Sequence, residues 1–482
     1  MQTNTESAEM QETPHQPSFR LWNQRNFISL MLGTGLSVLG DGAYFIVLGW
    51  FVLSVTKSEF ALGTTLTLAS IPRIVFMLVG GVVADRVNRK QILVASLLLR
   101  FIVLLAFVSV LISLHSETRL WTIDLMALVF GSIDAFFYPA SNSVVPSAVP
   151  AAALAQANSL VQTIQQISTV LGPLLAAALL WMGGYAVMFL CIAIVFGLSS
   201  VALSLLRLRT AMSPEGVAAA DTNGGAMGDS GDSECSGGLP GRNCCENNDA
   251  VVEEPPSSMF RDIFEGIKYV KSVRILVLIM VVSLGINLLF MGPINIGVPT
   301  FVKSMGWSGD VYGSYESGFG VGTVMGGIVV ILLKGLRGRF RWLGGFGVLM
   351  GAGCAGIGFV HVPWGGIALM AVMGMAVSIV DIPILTYIQA IVPADKLGRT
   401  MSLLTLMGVG LVPVSYTVSS FLLQQNAIQV KDLLLVCGSA IAILFLCMYL
   451  FRDFRQVENH PLWRSRIAAG GNEALESSSP SL

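Results

Sequence analysis

Residues 80–90 read GGVVADRVNRK, and the chain's organisation follows from where so polar a stretch can sit. It separates two apolar runs, at about 61–83 and 91–114, each long enough to cross a bilayer core of about 30 Å. One acid (Asp85) and three cations (Arg86, Arg89 and Lys90) in so short a connection are easiest to keep in water, which puts the loop at a membrane face.

Composition agrees. Over 482 residues, 54% are hydrophobic and only 12% charged, and mean hydropathy is +0.73. These values exclude an ordinary soluble domain. The first 25 residues are polar, with no apolar core of a signal peptide. Hydropathy predicts twelve spans, at 27–54, 60–83, 91–114, 120–142, 157–181, 185–206, 274–299, 312–333, 342–361, 364–388, 401–423 and 432–451. Each is expected to be helical, because a backbone in lipid must satisfy its own hydrogen bonds. With the N-terminus inside, 22 of the 28 Lys and Arg fall in cytosolic segments, 4 in outer ones and 2 in spans. That asymmetry predicts both termini in the cytosol. Trp50, Trp121, Trp181, Trp307 and Trp364 fall at outer span ends, where an aromatic belt is expected.

Residues 207–259 switch to Gly, Ser, Asp, Glu and Pro, as in DTNGGAMGDSGDSECSGG. Such a segment buries too little apolar surface to offset ordering entropy and reads as a disordered linker. The domain plan is therefore a cytosolic tail (1–25), a six-helix bundle (26–206), the linker, a second bundle (260–455) and a C-terminal tail (456–482). Residues 260–272, with Phe260, Ile263, Phe264 and Ile267 at helical spacing, read as an amphipathic helix leading the second bundle. VPAAALAQANSL (149–160) aligns without gaps to VPADKLGRTMSL (392–403), and each joins the fourth and fifth spans of its half. Two parallel six-helix repeats follow. Cys235, Cys244 and Cys245 lie in the linker without a Cys-x-x-Cys pair, so no metal site is expected.

Gly81-x-x-x-Asp85-Arg86-x-Asn88-Arg89-Lys90 resembles the loop between helices 2 and 3 of the major facilitator superfamily. The usual pattern has Gly where this chain has Asn88, and Asn tolerates a left-handed backbone best after Gly. Residues 26–100 and the stretch FFYPASNSVVPSAVP (136–150) resemble the subgroup with enterobactin exporters and macrolide efflux proteins. The resemblance covers about 20–455. It implies an all-α membrane protein of twelve helices, a gating role for the 81–90 loop, and secondary transport, usually outward. Gly172-Pro173 in the fifth span resembles an antiporter signature and marks a candidate hinge, although its flanks are Ser168, Ala176 and Ala177 rather than Gly. Segment 121–135 lacks the Arg that many drug/proton antiporters carry there.

Ionisable groups within spans are costly and point to function. Asp41, Arg73, Arg100, Asp134 and Asp381 lie in spans, with Glu316 shallower. At ~1.5 Å per residue, Asp41 and Arg73 both lie ~20 Å above the inner face, Arg100 ~15 Å and Asp134 ~12 Å. Matching depths predict two ion pairs, Asp41–Arg73 and Arg100–Asp134. A pair of this kind either pins helices permanently or releases a carboxylate that binds a proton. Asp41 is the first candidate for the proton, because Thr34, Ser37 and Tyr44 share its helix face and are expected to line a wet cavity. Gln162 and Gln166 on the fifth span, and Asn287 and Asn295 on the seventh, extend that lining, and Pro293 and Pro299 loosen the seventh span.

The function expected is proton-coupled export of an amphipathic small molecule, such as an antibiotic or siderophore, by a monomer in a bacterial plasma membrane. Its partners would be the lipid bilayer, the substrate and the proton, with no nucleic acid and no cofactor. An importer or facilitator of the same fold, and a transporter-like sensor or scaffold, are the alternatives. Neither a phosphate-binding loop nor a nucleophile–base pattern appears, so enzymatic activity is not expected.

Overall fold

The computed structural model describes residues 25–86, 88–113, 119–148, 154–206, 268, 270–333, 341–425 and 428–450. The first half comprises α1 (Arg25–Thr56), α2 (Glu59–Arg86), α3 (Arg89–Ser113), α4 (Arg119–Ala148), α5 (Leu154–Met182) and α6 (Tyr185–Ser204). The second comprises α7 (Arg274–Gly292), α8 (Val298–Ser304), α9 (Gly309–Leu332), α10 (Arg341–Ile357), α11 (Pro363–Ile391), α12 (Ala394–Gly410), α13 (Val412–Gln424) and α14 (Val430–Leu450). A π-helical turn, Pro293–Gly297, joins α7 to α8, and α12 runs into α13 through Leu411 alone. Taking each of those two pairs as one rod leaves twelve rods, six per half, in place of the twelve expected spans. Among the described residues, nine helical stretches are long and apolar enough to cross a membrane, counting Arg274–Ser304 and Leu406–Gln424 each as one. The linker, the C-terminal tail, most of 260–272 and residues 149–153 of the repeated stretch lie outside the described residues.

Local chemistry sets the turns. Lys57 takes a left-handed backbone (φ 53°) and its N–H closes α1 on the Leu53 carbonyl at 3.0 Å. The Ser58 hydroxyl then accepts the Ala61 N–H at 3.3 Å and caps α2. Gly183 and Gly184, at φ 73° and 82°, turn α5 into α6 where a side chain would be strained. Asn88 departs from its expected role: among the described non-glycine residues only Lys57 has positive φ. Its Oδ1 instead accepts the Lys90 N–H at 3.1 Å, so Asn88 is the N-cap of α3. The expectation arose from comparison with Gly, which turns a chain but cannot cap with a side chain.

The break after α7 has a specific cause. The Ser415 hydroxyl of α13 donates to the Leu288 carbonyl (2.6 Å) and accepts the Gly292 N–H (2.7 Å), so it bridges two backbone groups one turn apart. Pro293 then supplies no N–H, and the π-turn follows. Asn295 spends its amide on the Met291 carbonyl at 2.9 Å, within its own helix.

Helix pairing repeats between halves: α2 on α4 as α9 on α11, α3 on α6 as α10 on α14, α1 on α5 as α7 on α13. The α2–α4 and α9–α11 crossings even share a device, since a side chain on Gly131 would strike the Ala69 carbonyl and one on Gly322 the Ala371 carbonyl. Small residues of this kind let helix backbones meet where lipid offers no hydrophobic drive for association. The halves join through α5 against α9 and α2 against α13.

Candidate functional site

Four charges on α1–α4 form one connected chain. The Arg100 Nη1 donates to Asp41 Oδ1 at 2.8 Å, and its Nη2 donates to Asp134 Oδ1. The Arg73 Nε lies 3.0 Å from Asp134 Oδ2. The expected Asp41–Arg73 pair is therefore not formed, and Arg100 takes Asp41 as well as Asp134. Depth along the axis divided the four groups into two pairs, whereas rotation about each axis and lateral packing set the actual partners. Arg100 is fully buried, with its guanidinium carbon 5.2, 5.0 and 5.4 Å from the ring centroids of Phe130, Phe137 and Phe196. Two carboxylates and three aromatic faces offset the desolvation of that cation. The chain's ends remain accessible: the Asp41 side chain is 24% exposed and that of Arg73 38%. An exposed guanidinium within a membrane span is costly unless water or a partner reaches it.

The other nominated polar residues divide. Thr34, Ser37 and Tyr44 do not line an accessible cavity; they are 1%, 0% and 0% exposed. Thr34 donates to the Leu30 carbonyl at 2.8 Å, and Tyr44 stacks on Phe130 at 3.9 Å. Their shared face with Asp41 is the packed side of α1, a distinction that polarity alone cannot make. Asn287, like Asn295, bonds a carbonyl of its own helix (Ser283, 2.9 Å) and is half-buried. Gln162 and Gln166 are exposed on α5. Gly172 sits at the α1–α5 crossing, where an added Cβ would come within 3.0 Å of the Gly42 Cα, and Pro173 follows inside α5. The backbones of Gly81, Asp85 and Arg86 belong to the end of α2, while the side chains of Asp85, Arg86 and Arg89 lie outside the described residues.

The second half handles charge differently. Glu316 on α9 has a buried Oε1 with no hydrogen-bond partner among the described residues, and no cation pairs with it there. It stands within electrostatic reach of Tyr312 and of Tyr416 on α13, which Arg73 of the first half also reaches. Asp381 is exposed on α11, likewise without a cation partner among the described residues.

Sequence reading missed three features. Asp124 on α4 accepts the Thr65 hydroxyl of α2 at 2.6 Å, and its place near a span end hid it. Trp50 is 9% exposed and packs on Tyr312 with centroids 6.0 Å apart, whereas Trp121, Trp181 and Trp364 are 78–82% exposed as a belt requires. Thr67 of α2 and Thr417 of α13 face each other across the halves at 3.2 Å. The Trp50–Tyr312 contact lies near the end of the molecule that carries the α1–α2 turn.

Two six-helix halves that meet along a seam, with charges buried beside it, define a membrane transporter fold. The sequence profile of the Major Facilitator Superfamily matches residues 30–415, and the chain belongs to that family. Macrolide efflux protein A of Streptococcus pyogenes is 26% identical over 153 residues, 32% of this chain and 37% of that protein. The enterobactin exporter EntS of Salmonella choleraesuis is 27% identical over 161 residues, 33% and 38%. The chain thus matches well under half the length of these curated relatives. Solved structures share the fold at low identity. The nucleoside transporter NupG aligns with TM-score 0.63 at 12% identity, covering 88% of this chain and 99% of that one. The xylose transporter XylE from E. coli aligns at 0.57 and 15%, covering 89% and 99%.

Proposed function

We propose that this protein is a proton-coupled exporter of an amphipathic small molecule, working by alternating access of its two halves. The observation that carries the reading is Glu316. A carboxylate with a buried, unpartnered oxygen beside the seam can bind and release a proton without breaking an ion pair, whereas Asp41 and Asp134 are each tied to arginine. Movement of the halves changes what surrounds Glu316 and so links proton binding to the orientation of the site. Outward direction is supported by the efflux proteins among the relatives. The Lys and Arg asymmetry supports cytosolic termini, and the bacterial relatives support a bacterial plasma membrane. In that orientation the α1–α2 turn faces outward and the loop at 81–90 faces the cytosol.

Proteoliposomes test this with erythromycin as probe. An imposed pH gradient should drive accumulation in the antiport sense, and Glu316→Gln should abolish the gradient dependence while leaving downhill exchange. Uptake in the symport sense would reverse the assigned direction. Loss of gradient dependence in Asp41→Asn but not in Glu316→Gln would move the proton to the ion chain.

A further inference from the structure

Leu53, in the last turn of α1, is fully buried, and its carbonyl accepts two donors. One is the N–H of Lys57 at 3.0 Å, which closes the helix. The other is the ammonium of Lys303, from the last turn of α8 in the opposite half. A helix C-terminus carries partial negative charge on its unpaired carbonyls, and a cation there is stabilised most when partly shielded from water. Lys303 is half-buried, and one turn before Leu53 the Trp50 ring packs on Tyr312 and on Gly309 of the opposite half, where an added Cβ would lie 2.6 Å from the Trp50 Nε1. Lys57 and Glu59 stand within electrostatic reach and contribute opposite charges.

We propose that Lys303 is a clasp that holds this end of the seam shut by gripping the Leu53 carbonyl at the C-terminal end of α1. Other inter-half contacts among the described residues include the Trp50–Tyr312 packing and the neutral hydroxyl pair Thr67–Thr417. Among the described residues no other charged side chain makes a hydrogen bond or ion pair between the halves. Lys303 and Leu53 belong to different halves, so the bond must break whenever that end opens. The clasp therefore sets the balance between closed and open without touching the ion chain or Glu316. It requires only that the halves move, and it holds whatever the coupling ion or direction of transport.

The full chain in nanodiscs, with its cysteines replaced and nitroxide labels at Met182→Cys and Gln425→Cys, reports opening at this end by electron–electron distance measurement. Both label sites are exposed, one in each half. Lys303→Gln should raise the ratio of long to short distances roughly three- to tenfold, the factor a charge at a helix terminus commands. Lys303→Arg, which keeps the charge, should leave the distribution near that of the parent. An unchanged distribution in Lys303→Gln overturns the clasp. Should the Gln variant fail to fold, Lys303→Met is read the same way. If every charge-removing variant unfolds, Lys303 is a structural support and the clasp is again overturned.

Discussion

In the first half, Asp41, Arg100, Asp134 and Arg73 neutralise one another in a single chain across four helices. In the second half, Glu316 and Asp381 have no cation partner among the described residues, although the helices around them pair in the same pattern. A repeated scaffold thus carries two different electrostatic solutions. Charges locked in a chain fix helix positions and resist change. A carboxylate with a spare oxygen can change state as its surroundings move. The two halves thus differ in how their charges are held, and not in how their helices pair.

The sharpest way to break this contrast is Arg100→Met. It strands two carboxylates and should cost about 3–5 kcal/mol, the penalty for removing one partner of a buried ion pair. Thermal unfolding and the monodisperse fraction in detergent would show it, and a stability near the parent's would mean the chain is not structural. Comparing acids across the halves comes next. Asp134→Asn, losing charge-assisted bonds to two arginines, should cost about 1.5–3 kcal/mol. Asp381→Asn, exposed and unpaired, should stay within about 0.5 kcal/mol. Equal losses in the same assay would erase the distinction.

Backbone packing offers a third comparison. Gly172→Val forces a side chain into the α1–α5 crossing and should cost about 1–3 kcal/mol. Gly410→Ala, at the break in the matching rod of the second half, meets nothing within 4 Å and should leave the melting temperature unchanged. The smallest expected effect is at the loop between α2 and α3. Asn88→Ala removes an N-cap and should cost about 1 kcal/mol, while Asn88→Asp retains it. A stabilising Asn88→Gly, by contrast, would restore the turning role that the sequence pattern had implied.

Much of the fold was legible in the sequence, because hydropathy is a local and additive property of a helix in lipid. Apolar runs located the rods, the duplicated stretch at 149–160 and 392–403 marked the repeat, and the loop at 80–90 pointed to the family. The depth of each charge was legible too, since a helix rises by a fixed amount per residue. That sufficed to pair Arg100 with Asp134, but it set Asp41 and Arg73 apart from them as a second pair, where the structure joins all four.

Depth leaves rotation and lateral placement open, and those depend on how every helix packs on its neighbours. Only the tertiary structure gave Asp41 to Arg100 rather than Arg73, and turned Thr34, Ser37 and Tyr44 into the core. It also moved Trp50 from the expected belt into the seam and set Lys303 on the carbonyl of Leu53, 250 residues away in the chain. No periodicity encodes such a meeting. It exists only when two halves, each folded by its own hydrophobic pattern, close on one another.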